Sequence, residues 1–508
     1  MTPYSDYVMA DGQRTGRWSL AMAWWALFSA MFWLYIAVAS AGAVGMTDTI
    51  IGMVLTIASY GAINAVLARF GARTGLTVEL FSRSLFGVLG SAVATLIFAA
   101  TAIYYAVFEG SVIAVAFQSY FGGPIKIWYL AVVVYALPLV AGGVQNWLDR
   151  LNGWLLPFYC AGLIAAVIAT AARAGTPRVW PHGTATGIPG WLSSYLIYMG
   201  VYIMMMYTFD YARHGRPRDE RFHANVTFGW VFYLFTFAVN GLIGIYLVYT
   251  WGEGGTETGV AQAMVKALGF VGLLVIFVSQ TRINSANYYL ASTNLDAFAS
   301  RVFRLKLPRW AWVIVSGVIA YIFMLTNVLS YLLKALAWQG VFVTAWVAIA
   351  LVYIGLSRRT AGALSSGTLP PGTPSSGTLP EVTERRLPPL TAGAFVWVLA
   401  SAIGIYLTQQ KSSADLAALA PLITVAIAAG GYLITYQVQP PVTRPEHDTV
   451  AVGEPALPSL ISLNDPWSLV VVTPSAREAE GPGTTVAGAR LDGSRTGPQP
   501  AGRLQQGS

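Results

Sequence analysis

Apolar residues in this chain run in long stretches, neither alternating as in a half-buried strand nor striped as on the helices of a soluble domain. The stretches cover residues 20–44, 49–70, 88–117, 127–144, 153–172, 191–209, 225–250, 265–298, 311–330, 331–355, 391–408 and 417–438. A helix rising about 1.5 Å per residue needs roughly 20 such residues to cross a hydrocarbon core. Inside that core every backbone polar group must be satisfied within the structure, and a helix does this with its own residues. The pattern therefore predicts an all-α polytopic membrane protein of twelve transmembrane helices.

Charge orients the bundle. With both termini on one side, that side's loops hold 18 basic residues ahead of the tail: Arg14, Arg17, Arg69, Arg73, Arg83, Arg150, Arg213, Arg216, Arg218, Arg221, Arg301, Arg304, Lys306, Arg309, Arg358, Arg359, Arg385 and Arg386. The opposite side holds five: Lys126, Arg173, Arg178, Lys266 and Lys411. Basic loops stay cytoplasmic, so both ends are expected in the cytoplasm of a multi-pass plasma-membrane protein. Only 10% of residues are charged and 56% are hydrophobic, against about 25% charged in soluble domains. The net charge of +8 thus belongs to short loops facing anionic headgroups, and nucleic acid is not an expected partner. Asp6 and Asp11 precede the first stretch where a cleaved leader would carry basic residues. Cys160, the single cysteine, has no partner for an internal disulfide and reads as a packing residue.

Two regions break the apolar pattern. The segment 357–390 carries Ser-Ser-Gly-Thr-Leu-Pro twice, at 365–370 and 375–380. Its composition buries too little apolar surface to offset chain entropy, so a disordered cytoplasmic linker is expected. The tail 439–508 is also Pro- and Gly-rich and expected to be disordered, with one apolar patch at 457–472. The resulting organisation is a cytoplasmic segment 1–19, a ten-helix core 20–356, the linker, two peripheral helices within 391–438, and the tail.

Candidate chemistry lies where polar residues interrupt apolar helices, because each is costly at membrane depth and turns inward. In the third stretch Tyr105 and Glu109 are four apart and share a face. In the eighth, Gln280, Asn284 and Asn287 form one polar stripe, with Arg282 nearby. The simplest arrangement faces Glu109 with Arg282 across a polar cavity. Tyr288 and Tyr289 read as packing. No phosphate-binding loop occurs, and all four His lie outside the apolar stretches, so built-in nucleotide hydrolysis, a metal cluster and a His relay lack their residues. An enzyme is not expected; a transporter is.

Several segments resemble one family, the nucleobase–cation symporters of the purine, cytosine, allantoin and hydantoin permease type. Gly71-Ala-Arg73-Thr-Gly-Leu-Thr77-Val-Glu-Leu-Phe-Ser-Arg83-Ser-Leu-Phe86-Gly-Val-Leu-Gly90-Ser91 looks like their loop into the third helix. Phe28-Ser29-Ala-Met-Phe-Trp33 resembles their first helix, Asp210-Tyr-Ala-Arg213 the end of their sixth, and Ser285-Ala286-Asn287 their eighth. The resemblance implies a leucine-transporter-like, five-plus-five inverted repeat in which helices one and six are discontinuous. It also implies that Tyr105 stacks on a flat substrate, that Glu109 and Asn287 hydrogen-bond it, and that Ser29 and Gly200 sit at the helix breaks. Asn284 and Gln280 join these as substrate-binding candidates. Relatives place sodium-coordinating hydroxyls at or beside Arg282, so Glu109 and Arg282 are the coupling candidates, for H+ or Na+. The Met-rich sixth helix, Met204-Met205-Met206, departs from cytosine permeases.

The expected function is therefore a secondary active transporter importing a nucleobase or related planar heterocycle, a purine, pyrimidine or allantoin-like ring. Coupling is to H+ or Na+ by alternating access, with no cofactor. The expected partners are that small heterocycle and the lipid bilayer. The alternative is a membrane solute sensor that signals through its tail.

Overall fold

The computed structural model describes residues 14–141, 145–183, 187–255, 257–305, 307–326, 332–365, 380–386, 389–410, 413–438 and 468–474. Its first half holds α1 (Arg17–Trp25), a 3-10 turn (Ala26–Ser29), α2 (Phe32–Val44), α3 (Met46–Thr74), α4 (Val78–Phe121), α5 (Ile125–Ala141) and α6 (Gln145–Arg173). There follow α7 (Gly190–Met199), α8 (Ile203–Ala212), α9 (Glu220–Phe222), α10 (Trp230–Tyr233) and α11 (Asn240–Trp251). The rest holds α12 (Glu257–Leu268), α13 (Phe270–Val302), α14 (Arg309–Leu325), α15 (Leu332–Ser365), α16 (Ala392–Thr408) and α17 (Ala414–Val438). One short antiparallel pair joins β1 (Pro380–Arg386) to β2 (Ser468–Pro474), with Thr383 opposite Val471. The remainder of the linker and tail lies outside the described residues, as does Lys411.

Among the described residues six helices are long and apolar enough to cross a membrane, and two bent pairs bring the number to eight. The other expected stretches fall on α5, α13, α14 and α16, which are shorter or more polar. Large apolar side chains on the outer faces, including Val54, Ile164, Ile168, Val318, Ile322, Phe395 and Leu399, are exposed. A soluble monomer rarely leaves so much apolar surface uncovered, whereas hydrocarbon covers it without cost. The chain is a multi-pass membrane protein.

The two bent pairs define the architecture. α1 and α2 meet at 47° across Ala30–Met31, and α7 and α8 meet at 46° across Gly200–Tyr202. Each opens a set of five successive spans, the second set carrying α12 as an insertion. α9, α10 and α11 form one continuous span, Pro217–Trp251, through two wider-wound π segments at His223–Thr227 and Leu234–Val239. α4 and α13, third in each set, pack together along more of their length than any other helix pair.

The structure departs from the sequence reading at three boundaries. The third span begins at Val78, with Thr77 capping it by accepting from Leu80 N at 3.0 Å. Gly87 then kinks the helix at φ 80°, a conformation that costs glycine little. The backbone freed at the kink is met by the start of α16: Leu89 N donates to Pro389 O at 2.9 Å, and Thr391 N to Phe86 O at 3.2 Å. The expected stretch 265–298 is two helices, because Gly269 at φ 60° turns the chain between α12 and α13. α15 runs to Ser365, since Arg358-Arg359-Thr360-Ala361-Gly362-Ala363-Leu364 contains enough helix formers to continue until the Ser-Gly-Thr-Leu-Pro run.

Candidate functional site

A broken span in an apolar setting leaves backbone groups that must find partners. At the first break those partners come from side chains. Ser29 Oγ donates to Ala26 O at 2.9 Å, and Trp33 Nε1 to Leu27 O at 2.7 Å. Asn240 Nδ2, from α11, donates to Phe28 O at 2.8 Å, and Tyr159 on α6 donates to Asn240 Oδ1 at 3.2 Å. Ala30 is extended (φ −68°, ψ 128°), so Met31 N cannot reach back into its own helix and donates to Gln280 Oε1 at 3.0 Å.

Gln280 also carries the site's charge contact. Its Nε2 donates to Glu109 Oε2, and both residues are buried, at 0% and 2% exposure. One amide thus joins α13 to α4 and to the break. Among the described residues Gln280 is the hydrogen-bond partner of Glu109 Oε2. Residues two apart point about 200° away from each other around an α-helix, so Gln280 and Arg282 leave α13 in different directions. Arg282 is itself buried at 5% exposure.

One turn before Glu109, Tyr105 packs edge to face with Phe32 at 5.4 Å, and Phe32 packs likewise on Phe108 at 5.2 Å. Gln339 Nε2, on α15, lies 3.5 Å from the Tyr105 hydroxyl. An aromatic wall, an acid and two amides therefore meet where four spans converge. Asn284 is also buried. Its amide lies against Gly110, and among the described residues neither its Oδ1 nor its Nδ2 has a hydrogen-bond partner. Asn287 is buried, and its Nδ2 likewise has none among the described residues.

Ser29 stands at the break, with its hydroxyl proton given to its own turn. Gly200 stands at the second break, but its surroundings are packing. A Cβ there would approach Leu336 O and Leu336 Cβ to 3.1 Å, and a Cβ on Gly340 would come within 3.0 Å of Gly200 Cα. The small residue lets α15 cross close to the break. Tyr60, from α3, adds to the backbone bond of Val201 N there by donating to Tyr198 O at 2.5 Å. Met204, Met205 and Met206 are all buried in the core. Sequence reasoning missed Gln339, Asn240 and the Met31 amide. Gln339 was visible by the rule that found Gln280, a lone amide in an apolar helix. The Met31 amide carries no sequence signal of its own.

The basic face is closed by polar ties. Arg73 makes a bidentate pair with Glu220, at 2.6 and 2.8 Å. Glu79 and Arg83 pair at 2.7 Å with both side chains buried. Asp210 Oδ1 accepts from Val78 N at 2.7 Å, and Phe81 stacks on Phe209 at 4.8 Å. Arg14 Nη1 donates to Ala72 O and to Gly215 O, the latter at 2.8 Å. Burial and the nearby Arg213 and Arg14 push the His214 imidazole down to about 4.

The chain matches no protein-family model and no curated protein. Solved structures do match. Mhp1, a nucleobase-cation-symport-1 family transporter, in a closed conformation with bromovinylhydantoin bound, is 15% identical with a TM-score of 0.62, over 86% of this chain and 95% of that one. Its inward-facing conformation gives 15% identity and a TM-score of 0.65 over the same shares. A Na+-coupled sialic acid symporter in a substrate-bound outward-open state is 14% identical with a TM-score of 0.58, over 88% of this chain and 94% of that one. The fold is that of these transporters: all-α, leucine-transporter-like, with discontinuous first and sixth spans.

Proposed function

We propose that this chain is a secondary active transporter of the nucleobase–cation symporter type. It imports a nucleobase or related planar heterocycle, a purine, pyrimidine or allantoin-like ring, by alternating access coupled to H+ or Na+. It is not an enzyme, and it works in the plasma membrane with both termini cytoplasmic. The observation that carries this reading is the cluster of Tyr105, Glu109 and Gln280 at the break of the first span. A discontinuous helix at midplane is where such folds place solute. An aromatic face there gives affinity for a flat ring, and a buried acid reads its polar edge. Similarity to a transporter with a hydantoin bound supports the substrate class.

In this reading Tyr105 is the platform, Glu109 the hydrogen-bonding acid, and Gln280, Asn284 and Asn287 the amides of the site. The unpartnered Oδ1 and Nδ2 of Asn284 and Nδ2 of Asn287 support their roles, because a buried polar atom without a partner is costly until a ligand supplies one. Ser29 and Gly200 complete the site at the two breaks. Glu109 is the group that exchanges a coupled proton, and Arg282 supplies a fixed positive charge on α13, where relatives hold sodium. A thermal-shift panel of purified protein against nucleobases, allantoin, hydantoins and amino acids tests the substrate class. Stabilisation by planar heterocycles alone is the expected outcome; stabilisation by amino acids alone would overturn it.

A further inference from the structure

The C-terminal end of α5 lies beside the N-terminal end of α14, and a groove of about 330 Å³ runs between them. Its walls are Val134, Leu137 and Pro138 from α5 and Trp310, Val313 and Ile314 from α14. Val134 and Trp310 are 57% and 59% exposed, so the groove is open from the side. Deeper in, the two helices close up: a Cβ on Gly317 would come within 2.5 Å of Leu137 Cδ2. At about 1.5 Å per residue, Trp310 to Gly317 spans about 10 Å. That depth fits within one leaflet, whose hydrocarbon is about 15 Å thick.

The mouth of the groove sets it apart from the rest of the outer surface. Residues 301–310 read Arg-Val-Phe-Arg-Leu-Lys-Leu-Pro-Arg-Trp, four basic residues interleaved with apolar ones and with no acid among them. Phe303, Leu305 and Leu307 are exposed, as are Arg304 and Arg309. In a bilayer such apolar side chains sink to the boundary between headgroups and chains, while the cations stay at the level of the phosphates. Arg309, the first residue of α14, is held over the Tyr289 ring at 4.6 Å. A guanidinium stacked on a ring keeps its N–H donors in its own plane, where they suit a pair of phosphate oxygens. Arg309 and Val313 are one turn apart on one face of α14, so this cation stands at the mouth of the groove.

We propose that an anionic phospholipid binds here, with one acyl chain along the groove and its phosphate on Arg309 and Arg304. The apolar walls call for a chain, which a free phosphate lacks, and the basic mouth calls for a headgroup of net negative charge. Both α5 and α14 pack on α4 and α13, the helices that carry Glu109 and Gln280. The lipid thus braces the outer side of the scaffold that holds those residues.

The test uses the purified full-length chain in mixed micelles with lipids brominated on the acyl chain, which quench tryptophan fluorescence on contact. The share due to Trp310 is the difference between wild type and Trp310→Phe. Brominated phosphatidylglycerol should quench that share at about 5–30-fold lower mole fraction than brominated phosphatidylcholine, since each arginine near the surface favours an anionic headgroup about 5-fold. Arg304→Gln combined with Arg309→Gln should bring phosphatidylglycerol to the phosphatidylcholine level. Val134→Phe, which narrows the groove from its exposed wall, should weaken quenching by both lipids. Equal quenching by the two lipids in the wild type is ordinary annular contact and overturns the proposal. A preference that survives the double variant overturns it too, as does quenching that ignores Val134→Phe. Absence of quenching by either lipid also overturns it, and is the result that a second copy of the chain seated on the groove would give.

Discussion

Replacing Gln280 by Leu removes one side chain that two buried groups share. Met31 N loses its only acceptor, and Glu109 Oε2 loses its donor, with both residues at or below 2% exposure. An ordinary interhelical hydrogen bond in a membrane protein is worth about 0.6 kcal/mol. A buried polar group left unsatisfied costs about 1–3 kcal/mol. Gln280→Leu leaves two such groups, so it should destabilise by about 2–6 kcal/mol. Reversible unfolding in mixed micelles measures this directly, and a double-mutant cycle with Glu109→Leu isolates the pair. The two losses should fall short of additivity by at least about 1.5 kcal/mol, because Glu109→Leu removes the acid that Gln280→Leu strands. A loss near 0.6 kcal/mol together with additive singles would refute the argument that this amide holds the acid to the break.

Tyr105→Ala should weaken heterocycle binding by about 1–3 kcal/mol, the range for losing a stacking platform. Tyr105→Phe should be mild, since it forfeits only a 3.5 Å contact with Gln339; equal calorimetric affinity of Tyr105→Ala and wild type would remove the residue from the site. Gly200→Val should sharply reduce folded yield by size-exclusion chromatography, because even a Cβ comes to 3.1 Å from Leu336 O; a normal monodisperse yield would contradict the close crossing. His214 is held down to about 4 against 6.5 when unfolded, so between those values the unfolded chain binds the extra proton. Stability should fall as pH drops from about 6.5 toward 4. His214→Asn should make the decline in melting temperature shallower, and an identical pH profile would remove His214 as a contributor.

Much of the fold is legible in sequence because a membrane core demands long apolar helices, and those stretches are visible without knowing any contact. The breaks are not. Residues 20–44 read as one run, since Ser29-Ala30-Met31 contains neither Gly nor Pro. The interruption is held by side chains far away in sequence, Gln280 and Asn240. The same long-range satisfaction hid the turn at Gly269, which sits in apolar surroundings on both sides. Site residues were legible where a polar group had no local reason to be in hydrocarbon, as with Glu109 and Gln280. The hydrogen bond between them rests on helix phase, which turns Gln280 toward α4. Gly200 is a site candidate by its position at the second break. Its closeness to Gly340 is a fact of how α15 crosses, which no local pattern carries.

The central claim is coupled import of a planar heterocycle. Uptake of the best-binding radiolabelled ring into proteoliposomes, with an imposed inward gradient of H+ or of Na+ and with K+ or choline as replacement, tests it most directly. The account predicts accumulation above equilibrium that collapses when the coupling gradient is dissipated and is strongly reduced by Tyr105→Ala. Binding of the ring with no flux under either gradient, or flux that only equilibrates, would contradict it.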